Sequence, residues 1–142
     1  MKILARNENY IVFSRDEDLW IAKTNSVDNK QSIGRFVGGP NCALISEDDR
    51  YLVVAGYGIL LVDINKVFDN YNNETLGKLY FRRGNRRYWI SKIWENESCG
   101  DFTFYFDSQL MQYCFYFKNN VLFESNGEKI AADEINVSLG VV

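Results

Sequence analysis

Short apolar runs closed by turn residues limit most strongly what this chain can become. "YIVFS", "DLWIAK", "CALIS", "YLVVAG", "GILLVDI" and "DFTFYF" are five to seven residues long, rich in β-branched or aromatic side chains, and each ends in turn-forming residues. A helix requires apolar residues at a 3.6-residue period over a longer stretch, which these runs lack. They read as strands. Only "NKVFDNY", Asn65 to Tyr71, predicts a short helix, placed across a connection. Further strands are expected near 76–82, 86–94, 101–107, 110–118, 121–125 and 128–132, separated by "GN", "ENESCG", "DSQ", "NN" and "NGE". Connections this short favour an antiparallel meander. The expected fold is all-β: two packed antiparallel sheets, either a sandwich or a pair of blade-like sheets, with at most one short helix near 65–71.

A chain of 142 residues is expected to form one domain over 1–142, burying roughly 68% of the surface its unfolded chain exposes. Hydrophobic residues at 46% and aromatics at 15% exceed what a disordered chain carries. No apolar run approaches the ~18 residues needed to span a bilayer. The start, "MKILARNENYIVF", lacks a long apolar core and a small-residue cleavage site, and the three cysteines are odd in number and irregularly spaced. A soluble protein of a reducing cytosol is the expectation, so the Asn-x-Ser/Thr matches at Asn73, Asn96 and Asn136 read as chance. Net charge of −3 gives no general attraction to nucleic acid.

The sequence also echoes itself. "YIVFSRDEDLWIAK" from Tyr10 and "YLVVAGYGILLVDI" from Tyr51 stand 41 residues apart, setting Leu19 over Leu60, Trp20 over Leu61 and Ile21 over Val62. A strand, turn, strand unit at that spacing resembles the blades of WD-repeat and related β-propeller families, over about residues 2–64. Val62-Asp63 stands where that family has Trp-Asp, and its Gly-His pair is missing. The resemblance implies blade-like sheets, and the length falls short of a closed ring of four blades or more.

Several chemistries are excluded by composition. The chain has no histidine, which removes the usual general base of Ser and Cys hydrolases and the common zinc ligand. Cys42 and Cys114 lie in apolar strands and read as small core residues, while Cys99 sits in "ESCGD" beside acids that disfavour the thiolate. Glu95, Glu97 and Asp101 read as an ordinary polar connection rather than an acid and base pair. "GYGILL" at Gly56 precedes a strand and lacks a third glycine, so it reads as a hairpin turn and not a phosphate loop. "DINKVFDNYNNE", Asp63 to Glu74, imitates a calcium loop, but Val67 and Phe68 occupy positions that need an oxygen ligand and a glycine. No catalytic residue, metal site or cofactor is expected.

The remaining signal is charge beside aromatic residues. "FRRGNRRYW", Phe81 to Trp89, puts four arginines within six residues. Read as a hairpin closed by Gly84-Asn85, it sets Arg83 opposite Arg86, Arg82 opposite Arg87 and Tyr80 opposite Trp89. Like charges facing each other on a sheet destabilise by roughly 0.2–1 kcal/mol per pair, so an outside anion or acids from elsewhere in the chain would explain them. Asp16, Glu17 and Asp18, and likewise Glu47, Asp48 and Asp49, fall in hairpin turns and either cap solvated tips or present an acidic surface to a basic partner. Because meander turns alternate between ends, the two acidic turns are expected at opposite ends.

Small, acidic, aromatic-rich and without a catalytic constellation, the chain looks like bacterial toxin-immunity proteins in general character. That resemblance implies a cognate toxin as partner, with a cationic nuclease domain as one type. Arg82, Arg83, Arg86, Arg87, Tyr80 and Trp89 would then join the two acidic turns as partner-binding residues, without enzymatic activity. An RNA-binding or scaffold module using residues 80–89 is the alternative.

Overall fold

The computed structural model describes residues 1–36, 38–69, 77–80, 89–96, 101–108, 111–119, 121–131 and 134–137. Among them the fold is all-β, with antiparallel meanders and one short α-helix. The sheets number three rather than two. The first comprises β1 (Lys2–Arg6), β2 (Tyr10–Arg15), β3 (Asp18–Lys23) and β4 (Gln31–Arg35) in sequence order. The second runs β5 (Cys42–Ile45), β6 (Tyr51–Gly56), β7 (Gly58–Asp63) and β8 (Gly77–Tyr80), with β14 (Glu134–Val137) added beyond β8. The third runs β9 (Ile90–Asn96), β10 (Phe102–Ser108), β11 (Met111–Lys118), β12 (Val121–Glu124) and β13 (Lys129–Ile130).

The second sheet is the middle layer, and the sequence shows why. "YLVVAG" and "GILLVD" are apolar at successive positions because both of their faces are covered, as in sheets buried on two sides. Leu52, Val54, Leu60 and Val62 pack with Val12, Leu19, Ile21, Ile33 and Phe36 of the first sheet and its exit. The alternate residues Tyr51, Val53, Ala55, Ile59 and Leu61 pack against Phe102, Phe104, Phe106, Phe115 and Phe117 of the third. Two cores result. Each fully buried Leu, Ile or Phe contributes roughly 1.5–3 kcal/mol relative to exposure, so this double burial is the main force fixing the layer order. The leading strands adjoin along one side, β1 next to β5 and β5 next to β9.

The helix α1 (Ile64–Asp69) follows β7 directly. Asp63 Oδ1 accepts the Asn65 N–H at 3.1 Å, Ile64 and Val67 enter the first core, and Phe68 packs on Tyr10 at 5.6 Å between centroids. The calcium-loop look-alike therefore begins as helix, as its apolar positions require.

Three local readings are corrected. β8 and β9 belong to different sheets and the expected pairing of Tyr80 with Trp89 is not made: Tyr80 pairs with Ile59, and Trp89 bridges Tyr57, while residues 81–88 lie outside the described residues. The internal echo is real as strand pairs, β2–β3 and β6–β7, but slips midway. Tyr10 pairs with Lys23 while Tyr51 pairs with Asp63, because Tyr57 alone closes the second hairpin where Asp16-Glu17 closes the first. Trp20 is therefore equivalent to Leu60, not Leu61, since a one-residue slip changes the face of every side chain. Cys114 alternates with buried Phe115 and lies, half-buried, on the face away from the core.

Candidate partner-binding surface

The turn between β2 and β3 is built on the register Arg15 to Asp18. Asp16 takes left-handed backbone with φ of 54°, a conformation that short polar side chains tolerate better than most. The Glu17 carboxylate turns inward: Oε1 accepts from Arg35 Nε at 3.0 Å and Nη2 at 2.7 Å, while Oε2 accepts the Gly38 N–H at 2.5 Å. The Glu17 carbonyl also receives the Phe36 N–H at 2.7 Å. Glu17 thus clamps the end of β4 and the link from β4 to β5. Asp18 sits between Arg15 and Arg35 in the sheet register. Three carboxylates at this tip face two guanidinium groups, leaving little net charge.

That clamped link leads to an aromatic pair. Gly38, with φ of 87°, lies against the Tyr57 ring, where an added Cβ would meet Cδ2 at 3.7 Å. Tyr57 and Trp89 meet at 4.8 Å between centroids, their planes tilted by 54°, across an isolated antiparallel bridge. Their exposures are 53% and 37%. Trp89 is held from behind, its carbonyl accepting from Ser108 Oγ at 2.7 Å, and Asn41 Nδ2 donates to the next carbonyl, that of Ile90, at 2.9 Å. Met111, opposite Ser108 in the β10–β11 register, adds a third exposed apolar side chain at this end. An exposed Trp and Tyr on a rigid base have the composition of an interface anchor.

The other acidic turn lies at the opposite end. Asp49, also left-handed with φ of 60°, accepts from Asn7 Nδ2 at 2.6 Å and Asn9 Nδ2 at 2.5 Å, joining the β5–β6 turn to the β1–β2 turn. Asp48 Oδ1 receives the Ser46 hydroxyl at 2.6 Å and the Arg50 N–H at 3.1 Å, which holds the turn closed. The Glu47 N–H donates to Glu95 Oε1 at 2.8 Å. Burial raises the Glu95 pKa, and the nearby Glu47 and Asp48 carboxylates add to this, against the lowering effect of that N–H. A polar cleft of about 340 Å³ opens beside Asp49, between the Glu8 to Tyr10 turn and Lys23 to Asn25.

The structure therefore divides the residues expected to bind a partner. Asp16, Glu17, Asp18 and Trp89 come together at one end, connected through Arg35, Gly38 and Tyr57. Glu47, Asp48 and Asp49 sit at the other end, where Asp48 closes the turn and Asp49 ties it to the β1–β2 turn. Tyr80 is 1% exposed within the second core, where burial raises its pKa, so its ring offers no stacking surface. Arg82, Arg83, Arg86 and Arg87 lie outside the described residues. Tyr57 was missed because "GYG" carries the signal of a turn and nothing in the sequence shows which ring faces it. Among the described residues no group of His, Cys, Asp and Glu could hold a metal ion. No helix among them is long and apolar enough to cross a membrane.

Comparison with protein-family models, with curated proteins and with solved structures finds no match for this chain.

Proposed function

We propose that this chain is a non-enzymatic protein-binding protein of the bacterial immunity kind, which neutralises a cognate toxin in the cytosol. The exposed Tyr57–Trp89 pair carries this reading. Two large aromatic side chains at 53% and 37% exposure lose apolar contact with water only if a partner covers them. Behind them the Glu17 clamp holds Gly38, and the Ser108 and Asn41 hydrogen bonds hold the Trp89 and Ile90 carbonyls, so little ordering entropy is lost on binding. Because charge at the Asp16 to Asp18 tip is nearly balanced by Arg15 and Arg35, the aromatic anchor rather than an acidic surface carries the contact. Asp16 and Asp18 then act mainly on association rate and orientation, with a cationic nuclease domain as the partner type they suit. A blade-like reading of the sheets rests on their common meander order and on adjoining leading strands.

The test is co-purification under native conditions, followed by measurement of the purified partner's toxic activity with and without this chain. Inhibition by the wild type and its loss in Trp89→Ala would support the reading. Tight binding of generic RNA at physiological salt, with no protein partner, would replace it.

A further inference from the structure

The three sheets follow one another in a fixed sense. Among the described residues, the main contacts between strands of successive sheets lie at β1 with β5 and at β5 and β6 with β9, so the sheets fan out from a shared side. Each contact in the fan sets the rear face of one sheet on the front face of the next. In the second sheet Leu52, Val54, Leu60 and Val62 form the front face, towards the preceding sheet, and Tyr51, Val53, Ala55, Ile59 and Leu61 form the rear face, towards the following one.

The internal echo shows what the remaining face of the first sheet is. Ile11 pairs with Ala22 as Leu52 pairs with Val62, and Phe13 pairs with Trp20 as Val54 pairs with Leu60. Ile11, Phe13, Trp20 and Ala22 thus hold the positions that a preceding sheet covers in the second sheet. They form an apolar cluster of their own, with Ile11, Phe13 and Ala22 buried and half-buried Trp20 packed against them. Ile3, opposite Phe13, extends this front face and is 49% exposed. The third sheet ends the fan with the converse, a rear face. Away from Phe104, Phe106 and Phe115 of the second core, Trp94 stacks on Tyr105 at 5.7 Å and Tyr116 on Phe123 at 5.1 Å, all four half-buried. The two ends of the fan are therefore the two kinds of face that meet inside it.

We infer that two copies of the chain pair head to tail, the rear face of each third sheet on the front face of the other copy's first sheet, closing six sheets into a ring. Six lies within the four to eight blades of closed propellers. A head-to-tail contact forms a ring where the rotation closes, and here closure uses every end face and stops assembly at two copies. The first sheet limits each contact, with four strands of five or six residues. At about 4.8 Å between strands and about 3.3 Å per residue it offers roughly 350 Å². Counting both sides, each contact buries about 700 Å² and the closed pair about 1,400 Å², inside the range of specific interfaces that one contact alone does not reach. Tyr57 and Trp89 lie beyond the strand ends of both contacts, and the pairing needs no toxin, so it stands apart from the reading of that site.

Analytical ultracentrifugation of the full chain, without any partner, tests this from low micromolar to several hundred micromolar concentration. The expected mass rises from the 16.5 kDa of one chain to twice that value and no further. Ile3→Arg on the front face and Tyr105→Arg on the rear face should each raise the dissociation constant by more than about tenfold, because each buries an unpaired charge at both contacts of the pair. Ile3 is exposed enough for Ile3→Arg to carry the test if Tyr105→Arg fails to fold. An equimolar mixture of the two variants keeps one unaltered contact, between the third sheet of Ile3→Arg and the first sheet of Tyr105→Arg. Differently labelled chains should therefore associate in the mixture more tightly than either variant does with itself, and less tightly than wild type. A monomer at every concentration would overturn the inference. So would growth beyond two copies, a mixture no tighter than its components, or a dimer that Tyr105→Arg weakens and Ile3→Arg does not.

Discussion

Tyr57 and Trp89 meet with ring centroids 4.8 Å apart across a single bridge, joining the β6–β7 turn of the second sheet to the approach of the third. The contact links two layers at their rim and leaves both rings wet. If it anchors a partner, Trp89→Ala and Tyr57→Ala should each weaken binding by one to a few kcal/mol, the range for a buried aromatic anchor. The lost ring contact costs the fold about 1 kcal/mol beyond the burial each ring gives up, so the thermal midpoint should move less in Tyr57→Ala, the more exposed of the two. Replacing Glu47, Asp48 and Asp49 by their amides, at the opposite end, should leave affinity intact. Isothermal titration with the identified partner decides between the two ends.

Much of this architecture was legible before the fold was known, and the failures have physical causes. Continuous apolar runs at Tyr51 to Gly56 and Gly58 to Asp63 marked strands, but only a third sheet explains why both of their faces are apolar. The expected pairing of Tyr80 with Trp89 rested on Gly84-Asn85 as turn chemistry, whereas strand partners are chosen by burial: Tyr80 gains more beside Ile59 in the second core than opposite Trp89. The end-to-end separation of the two acidic turns followed from meander alternation alone. That Glu17 pairs with Arg35, and that Gly38 rests on Tyr57, depends on long-range packing that no local pattern encodes.

Gly56 should tolerate no side chain. A Cβ there would lie 2.8 Å from the Gly39 carbonyl oxygen and 3.0 Å from Phe36 Cε1, where the β4–β5 link crosses the end of β6. Backbone cannot swing aside as a flexible side chain can. Gly56→Ala should cost about 1–3 kcal/mol, the usual penalty of overpacking. Urea denaturation measures it, and an unchanged midpoint would show that the link is loosely held. Because the same link supports Tyr57 through Gly38, partner affinity should fall with stability.

Glu95 should act against the fold at neutral pH. Its pKa is raised by burial and then by Glu47 and Asp48, so the folded state holds its proton more tightly than the unfolded chain does. The stabilising contribution is fully present below the ordinary value of 4.5 and is lost as pH rises through the folded value. Glu95→Gln stays neutral and keeps an oxygen for the Glu47 N–H. The variant should therefore melt slightly higher than wild type at pH 7, with the difference vanishing as pH falls below that range. Paired thermal scans across acidic and neutral pH would expose the opposite trend if the carboxylate is instead stabilised by its hydrogen bond.

Alkaline pH should weaken the fold through Cys42. Burial pushes its thiol from 9.0 up to about 11, with Lys2 pulling weakly the other way, and its Sγ lies 3.8 Å from the Ile90 carbonyl oxygen. The unfolded chain gives up this proton first. Between about pH 9 and pH 11 the folded state binds the proton that the unfolded state has lost, so stability falls as pH rises. Tyr51 and Tyr80 are raised by burial in the same sense and add to the decline. Cys42→Ala removes the thiol's share, so its urea midpoint should fall less steeply than that of wild type over this window, while the tyrosines keep it from becoming flat. Alkylation supplies the kinetic counterpart, since only the thiolate reacts: Cys42 should stay unmodified in the folded protein near pH 8 and react once urea is added. Identical pH slopes for the two proteins would mean that water reaches the Cys42 thiol, and that the contact between β5 and the start of β9 opens in solution.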